Sequence, residues 1–256
     1  MKLSVCLELF FTDVPLEERI AKVKAAGFSA GEFWGHDGKN LEAIAAACRE
    51  DRFEIVAMTA FGIHPGLNDP AVHDELIRQL EKSIEAAMVV RCRRLIVLAG
   101  NTLKKVTRWA QARAIVAGLR RMAPIADRAG FELVLENLNT SHDHVGYYLD
   151  RTEEMAMIVR AVDHPRVKAL FDIYHAGVME GNLTQKISDQ IDTIGHFHLA
   201  GIPGRHEPKD GEINYPALAK AVDAAGYSAY AGLEYIPLKD HLASLVETRE
   251  WILGGT

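Results

Sequence analysis

The sequence contains few cysteines, and none is placed as a disulfide framework or a structural zinc site requires. Cys6, Cys48 and Cys92 are an odd number and include no C-x-x-C pair. This pattern argues against a fold held by disulfides and against a thiolate zinc site. Reduced thiols in a cytosolic protein are the simplest interpretation, so we expect a cytoplasmic location.

Long apolar runs and an excess of positive charge are also missing. No stretch approaches the ~20 apolar residues that span a bilayer. Glu8 interrupts the apolar start "MKLSVCLELFF", and no small-residue cleavage site follows, so we expect no signal peptide. The formal net charge is −6, which does not favour nucleic acid or acidic membranes as partners. A small-molecule substrate is the remaining expectation.

Short apolar runs alternate with amphipathic helical stretches along the whole chain. Strands that are apolar throughout and lie between helices are typical of a parallel sheet covered on both faces. The runs that we interpret as strands are "LSVCLELF", "SAGEFW", "FEIVAMTAF", "RLIVLAG", "FELVLE", "VKALFD", "IGHFHLAG" and "YAGLEYI". Eight such units predict an α/β fold, a single-domain (β/α)8 TIM barrel over residues 1–256. A doubly wound sheet is the alternative, but "LFFTDVP" is not the Gly-rich turn expected after its first strand.

Four successive strands each end near a residue of a type that commonly binds metals, a carboxylate or an imidazole. The fifth strand ends at Glu136, the sixth at Asp172, the seventh offers His198 and the eighth ends at Glu234. The carboxyl ends of barrel strands share one rim, so we expect these side chains to meet. Taken singly, each acidic residue could instead cap a helix or pair with a cation, and Asp172 in particular could cap the turn that follows it.

Convergence of three carboxylates predicts a divalent cation. The like charges would repel one another and raise their pKa values. Three oxygen donors and one imidazole suit Mn²⁺, Mg²⁺ or Co²⁺ better than a metal that prefers thiolates. In the seventh strand, His196 and His198 flank Phe197, and we expect one imidazole to face inward and the other outward. Glu8, Glu32 and His64 also lie near strand ends and are weaker candidates.

The segments around these residues resemble those of a known family. They are "LENLN", "FDIYHAGVMEGNL", "GHFHLAG", "RHEPKDGEINY" and "GLEYIP". They are similar to the xylose-isomerase-like barrels, which include sugar isomerases, ketose 3-epimerases and endonuclease IV, and within that family to the hydroxypyruvate isomerases. The resemblance covers essentially the whole chain. It implies that one divalent metal ion is bound by four residues: Glu136, Asp172, His198 and Glu234.

The resemblance also implies a reaction and a set of substrate contacts. Glu136 and Glu234 would be the acid/base pair that isomerises hydroxypyruvate to tartronate semialdehyde through a cis-enediolate. His175 and Arg205 match positions that contact substrate oxygens, and a guanidinium can grip a carboxylate bidentately. Trp34 ends the second strand and could form a wall of the pocket. A homo-oligomer is a further expectation from the family.

Three alternatives stay open. A ketose 3-epimerase would use the same metal and glutamates, and its family carries histidine at the place of His198, where some hydroxypyruvate isomerases carry glutamine. An abasic-site endonuclease would need three metal ions, more histidines along the rim and a basic face for DNA. A barrel that only binds a sugar acid is the third possibility.

Overall fold

The computed structural model describes residues 1–254, and within them eight parallel strands form a closed barrel. Each strand pairs with its neighbours in the sequence, and β1 pairs with β8 to close the cylinder. The strands are β1 (Lys2–Cys6), β2 (Ala30–Phe33), β3 (Glu54–Thr59), β4 (Arg94–Val97), β5 (Glu132–Glu136), β6 (Val167–Asp172), β7 (Ile194–Leu199) and β8 (Tyr230–Leu233). The predicted (β/α)8 barrel is confirmed.

Helices cover the outside of the barrel. They are α1 (Leu16–Ala25), α2 (Leu41–Asp51), α3 (His73–Val89), α4 (Arg108–Ala129), α5 (Thr152–Val162), α6 (Ile173–Met179), α7 (Leu183–Gln190), α8 (Tyr215–Ala224) and α9 (His241–Gly254). Local chemistry fixes several of their ends. The Asn40 side chain accepts a hydrogen bond from the Ala43 amide at 3.1 Å at the start of α2, and Gly130 ends α4 with a φ of 74°. Within residues 1–254, no helix is both long enough and apolar enough to cross a membrane.

Strand boundaries differ from the predicted ones mainly by trimming. The first apolar run is predicted to extend to Phe10, but β1 ends at Cys6, where a turn begins with a 3.2 Å hydrogen bond from the Leu9 amide to the Cys6 carbonyl. Leu7 and Phe10 stay buried in the loop that follows. Apolar sequence beyond the end of a barrel strand therefore lines the rim, where burial persists after the hydrogen-bond ladder stops.

Register brings the carboxyl ends of β5 to β8 to one level. Asp172 is opposite His198, and His198 is opposite Gly232. The Asn137 side chain clamps β5 to β6, because its amide oxygen accepts from the Asp172 amide at 3.0 Å and its Nδ2 donates to the Asp172 carbonyl at 3.3 Å. The Glu234 amide donates to the Leu199 carbonyl at 3.0 Å. The four strand ends are thus held in register by backbone and amide contacts.

Candidate metal centre

The four side chains predicted at the strand ends lie together inside the carboxyl rim. Glu136, Asp172, His198 and Glu234 are all buried, and each offers a ligand atom within 4.8 Å of the others. His198 Nδ1 lies 3.2 Å from a Glu136 oxygen, 3.2 Å from a Glu234 oxygen and 3.8 Å from Asp172 Oδ2. We call these four residues the ligand cluster.

Asp172 serves the fold and the ligand cluster with different oxygens. Its Oδ1 accepts a hydrogen bond from the His175 amide at 2.9 Å and so caps α6. Its Oδ2 lies 3.8 Å from His198 Nδ1 and 3.8 Å from Arg205 Nη2. The expectation that Asp172 caps a turn and the expectation that it joins the site are therefore compatible.

Burial and neighbouring charges separate the pKa values of the carboxylates in the ligand cluster. Burial raises the pKa of Asp172 to about 7 and also raises the pKa of Glu136. Burial acts on Glu234 in the same direction, but the charges of His198 and Arg205 outweigh it and hold the Glu234 pKa well below its usual range. Two glutamates at one site thus differ in proton affinity, which is the arrangement that acid/base pairs use.

The donor set fits a divalent cation. Metal–ligand bonds of ~2.0–2.2 Å allow donor atoms up to roughly 4.4 Å apart, so a spread of 4.8 Å needs only a small contraction. Without a cation, burial disfavours a charged His198, yet Glu234 and Glu32 raise the pKa of this imidazole well above its usual value. A cation would take over the neutralisation that a protonated His198 otherwise provides, and three carboxylates with one imidazole suit Mn²⁺, Mg²⁺ or Co²⁺.

His175 presents an N–H to the ligand cluster. Its ring is fully buried, and Nε2 has no hydrogen-bond partner among the described residues. Asn139 fixes the tautomer: its oxygen accepts from the amides of His142 and Asp143 at 3.1 Å, so its Nδ2 donates to His175 Nδ1 at 2.7 Å. The proton then lies on Nε2, 3.6 Å from Asp172 Oδ2. Burial lowers the His175 pKa well below its usual value, so the ring is a neutral donor.

Arg205 and Trp34, both predicted to contact substrate, each contact Glu234. The guanidinium of Arg205 pairs with a Glu234 oxygen and lies 5.5 Å from the centre of the Tyr174 ring. The indole Nε1 of Trp34 donates to Glu234 Oε1 at 2.7 Å, although 45% of the residue is exposed. Glu234 is therefore oriented by two rim side chains, a link that the sequence pattern did not indicate.

Glu32 and His196, both buried next to the ligand cluster, form contacts that we did not predict. His196 Nε2 lies 2.8 Å from one Glu32 oxygen, and His198 Nε2 lies 2.9 Å from the other. The expectation that one histidine faces outward is wrong, because residues two apart on a strand share a face. The period of the strand was the signal that could have found this pair.

The weaker candidates at the rim have ordinary partners. Glu8 forms an ion pair with Lys39 at 2.8 Å and accepts from the Trp34 amide at 3.1 Å. His64 Nε2 lies 3.0 Å from the Asn101 side chain. Neither residue joins the ligand cluster.

Comparison with known proteins supports this architecture. Residues 20–253 match a family described as the xylose isomerase-like TIM barrel. A 2-oxo-tetronate isomerase of Pectobacterium atrosepticum is 29% identical over 246 residues, covering 92% of either chain. A Homo sapiens relative, whose name assigns it provisionally to the hydroxypyruvate isomerases, is 28% identical over 98% of this chain and 95% of its own. A Brucella melitensis crystal structure described as an AP endonuclease of family 2 is 26% identical with a TM-score of 0.91, over 98% of both chains.

Proposed function

The chain belongs to the family of xylose isomerase-like TIM barrels and is an isomerase like its named relatives, and from this premise we propose that it interconverts hydroxypyruvate and tartronate semialdehyde. Glu136 and Glu234 are the proposed acid/base pair. They and Asp172 and His198 are the proposed ligands of one divalent ion, Mn²⁺, Mg²⁺ or Co²⁺. Names that relatives carry, hydroxypyruvate isomerase and 2-oxo-tetronate isomerase, support a short 2-oxo acid as the substrate class.

The observation that carries the proposal is the pair of glutamates held at one imidazole with opposite pKa shifts. Both contact His198 Nδ1 at 3.2 Å, from β5 on one side and from the end of β8 on the other. Burial raises the pKa of Glu136, whereas His198 and Arg205 hold Glu234 ionised. A proton transfer between adjacent carbons needs one carboxylate that can hold a proton and one that remains charged.

The reaction moves one proton between two carbons of the substrate. A glutamate takes the proton from C3 of hydroxypyruvate, which gives the cis-enediolate, and the proton returns to C2 from the same glutamate or the opposite one. A hydroxyl proton moves from O3 to O2, so the product is the aldehyde isomer. A divalent ion held by Glu136, Asp172, His198 and Glu234 would supply Lewis acidity that stabilises the developing negative charge.

Residues around the ligand cluster orient the substrate and the glutamates. The unpaired Nε2–H of His175 is the proposed donor to a substrate oxygen. Arg205 adds positive charge beside Asp172 and Glu234, which favours an anionic substrate in a chain whose net charge is −6. Trp34 orients Glu234 through the hydrogen bond from its indole N–H. All three are proposed substrate-binding residues.

A substrate panel tests the proposal. Metal-free protein is assayed with hydroxypyruvate, 2-oxo-tetronate, fructose, tagatose and psicose, without metal and with Mn²⁺, Mg²⁺ or Co²⁺. We expect metal-dependent turnover with the highest kcat/KM on hydroxypyruvate. Faster C3 epimerisation of a ketose, or turnover that does not depend on metal, would contradict the proposal.

Two further arms address nucleic acid and assembly. An abasic DNA duplex is added to the panel because of the name that the Brucella melitensis structure carries, and no cleavage is expected from a chain with a net charge of −6. Homo-oligomerisation and a cytoplasmic location remain predictions. Light scattering of the purified protein and fractionation of cells check them.

A further inference from the structure

Below the ligand cluster, a buried carboxylate faces two imidazoles. Glu32 lies on β2 inside the barrel and is only 2% exposed. Its Oε2 lies 2.8 Å from His196 Nε2 and accepts from the Ser4 hydroxyl at 3.3 Å, whereas its Oε1 lies 2.9 Å from His198 Nε2. Each oxygen of Glu32 thus has an imidazole nitrogen of its own.

His198 therefore stands between two acidic groups, with one ring nitrogen toward each. Nδ1 faces the carboxylates of the ligand cluster at 3.2 to 3.8 Å, and Nε2 faces Glu32. Nε2 and Glu32 Oε1 lie within hydrogen-bond distance of each other, and neither atom has another hydrogen-bond partner among the described residues. A neutral imidazole has one proton, so a proton held on Nε2 by Glu32 leaves the Nδ1 lone pair free for a cation.

Gly232 gives a second, independent sign that the barrel accommodates this carboxylate. It lies opposite His198 on the neighbouring strand. A Cβ at position 232 would lie 1.9 Å from Glu32 Oε1 and 2.6 Å from its carboxyl carbon. The side-chain volume that glycine lacks is thus taken by the Glu32 carboxylate. Any larger residue there would push Glu32 away from His198.

We propose that Glu32 is a positioning residue of the metal centre, which accepts the Nε2–H of His198 and thereby presents Nδ1 to the cation. The inference rests on the metal site of the proposed function. Imidazole ligands commonly donate their second N–H to a carboxylate, and removing that partner typically costs about 10–100-fold in metal affinity. The donor atoms of Glu32, His196 and His198 also lie within 4.8 Å of one another, but one oxygen per imidazole is the pattern of a carboxylate that accepts two N–H groups.

Metal binding to the Glu32→Gln variant tests the role of this carboxylate. Co²⁺ is titrated into metal-free protein, and the visible absorption bands of the bound ion report both affinity and ligand geometry. We expect one Co²⁺ per wild-type chain, about 10–100-fold weaker binding by Glu32→Gln and altered bands. Gly232→Ala should weaken binding in the same direction by displacing the carboxylate. The two variants keep the test decisive if one of them does not fold, which circular dichroism shows.

Ser4→Ala is the matched control, because it removes only the hydroxyl on Glu32 Oε2 and should leave Co²⁺ affinity close to that of the wild type. Wild-type affinity and bands in folded Glu32→Gln would overturn the inference and leave the proposed function intact. Two Co²⁺ ions per wild-type chain, one of them lost in Glu32→Gln, would also overturn it by making Glu32 a ligand. Wild-type protein that binds no Co²⁺ would overturn the metal centre and this inference together.

Discussion

One strand, β5, begins and ends with a glutamate, and the two have opposite surroundings. Glu132 at the amino end accepts a hydrogen bond from Arg94 at 2.7 Å, and its side chain is 26% exposed. Glu136 at the carboxyl end is buried and shares His198 with two further carboxylates. One end of the barrel pairs its charges near water, whereas the other gathers like charges away from it.

The difference separates the charges that stabilise the fold from those that we propose for the chemistry. A partly exposed ion pair such as this one contributes about 0–1 kcal/mol and leaves no charge without a partner. Burial at the carboxyl end favours protonation of Asp172 and Glu136, so it opposes the fully ionised state when no cation is bound. In such barrels the amino-end face is where stability is maintained and the carboxyl-end face is where catalysis occurs.

The largest expected effect separates the two glutamates of β5 directly. Glu136→Gln and Glu234→Gln should each lower kcat for hydroxypyruvate by about 10²–10⁴-fold, because a carboxamide cannot transfer the proton. Glu132→Gln is the matched control and should keep near-wild-type kcat. Steady-state kinetics with saturating Mn²⁺ measures all three. A variant at position 136 or 234 that turns over normally would remove that residue from the acid/base pair.

The cost of burying the Asp172 carboxylate is tested by Asp172→Asn in metal-free protein. The pKa of Asp172 is raised to about 7 from a usual value of 3.8, so its ionisation opposes folding increasingly as the pH rises from about 4 to about 7. Asparagine keeps the α6 cap and removes the charge. We expect its Tm to exceed that of the wild type at pH 8 and the difference to shrink at pH 5.

Adding metal should reverse the order of the two Tm values, so that the wild type melts above Asp172→Asn. A cation present at 100 times its Kd stabilises the folded chain by about 2.7 kcal/mol, and the wild type binds it more tightly than the variant with one carboxylate fewer. Thermal melts at both pH values, with and without Mn²⁺, check this. A metal-free variant that melts below the wild type at pH 8 would show that the buried charge of Asp172 is not destabilising.

Trp34→Phe should have a smaller effect. It keeps an aromatic ring at the rim and removes the indole donor to Glu234 Oε1. A hydrogen bond to a charged group contributes about 1.5–3 kcal/mol when buried, and because Trp34 is half exposed we expect about a 10-fold fall in kcat/KM. Unchanged kinetics would reduce Trp34 to a packing residue.

The smallest effect is expected at the amino end. Arg94→Gln, Glu132→Gln and the double variant form a thermodynamic cycle for the pair at the start of β4 and β5. The pair is partly exposed, so its coupling energy should lie near 0.2–1 kcal/mol, the range of ion pairs that water reaches. Urea unfolding of the four proteins measures it. A coupling of several kcal/mol would erase the contrast between the two ends of the barrel.

The sequence was sufficient for the fold and for the ligand cluster, because both follow from period and position. Apolar runs between helices predicted the barrel, and parallel strands share a carboxyl edge, so Glu136, Asp172, His198 and Glu234 were expected to meet. Glu32 was only a weaker candidate, because its distance from His198 depends on strand tilt and on the missing side chain of Gly232. Neither is visible in a single strand.

The contact partners of the side chains at the rim could not be predicted from the sequence either. The contact of Arg205 with a substrate carboxylate stays a prediction, and the sequence did not indicate that its guanidinium pairs with Glu234 and lies 3.8 Å from Asp172. Asn139, which orients His175, lies in a loop whose turn supplies the two amides that fix its side chain. Such contacts depend on loop conformation, and residue type alone does not determine it.

Anomalous diffraction from a crystal soaked in Mn²⁺ tests the central claim most directly. We predict one manganese peak per chain, bonded to Glu136, Asp172, His198 Nδ1 and Glu234, with His198 Nε2 on Glu32. No peak at the ligand cluster, or a peak between Glu32 and His196 instead, would contradict the account.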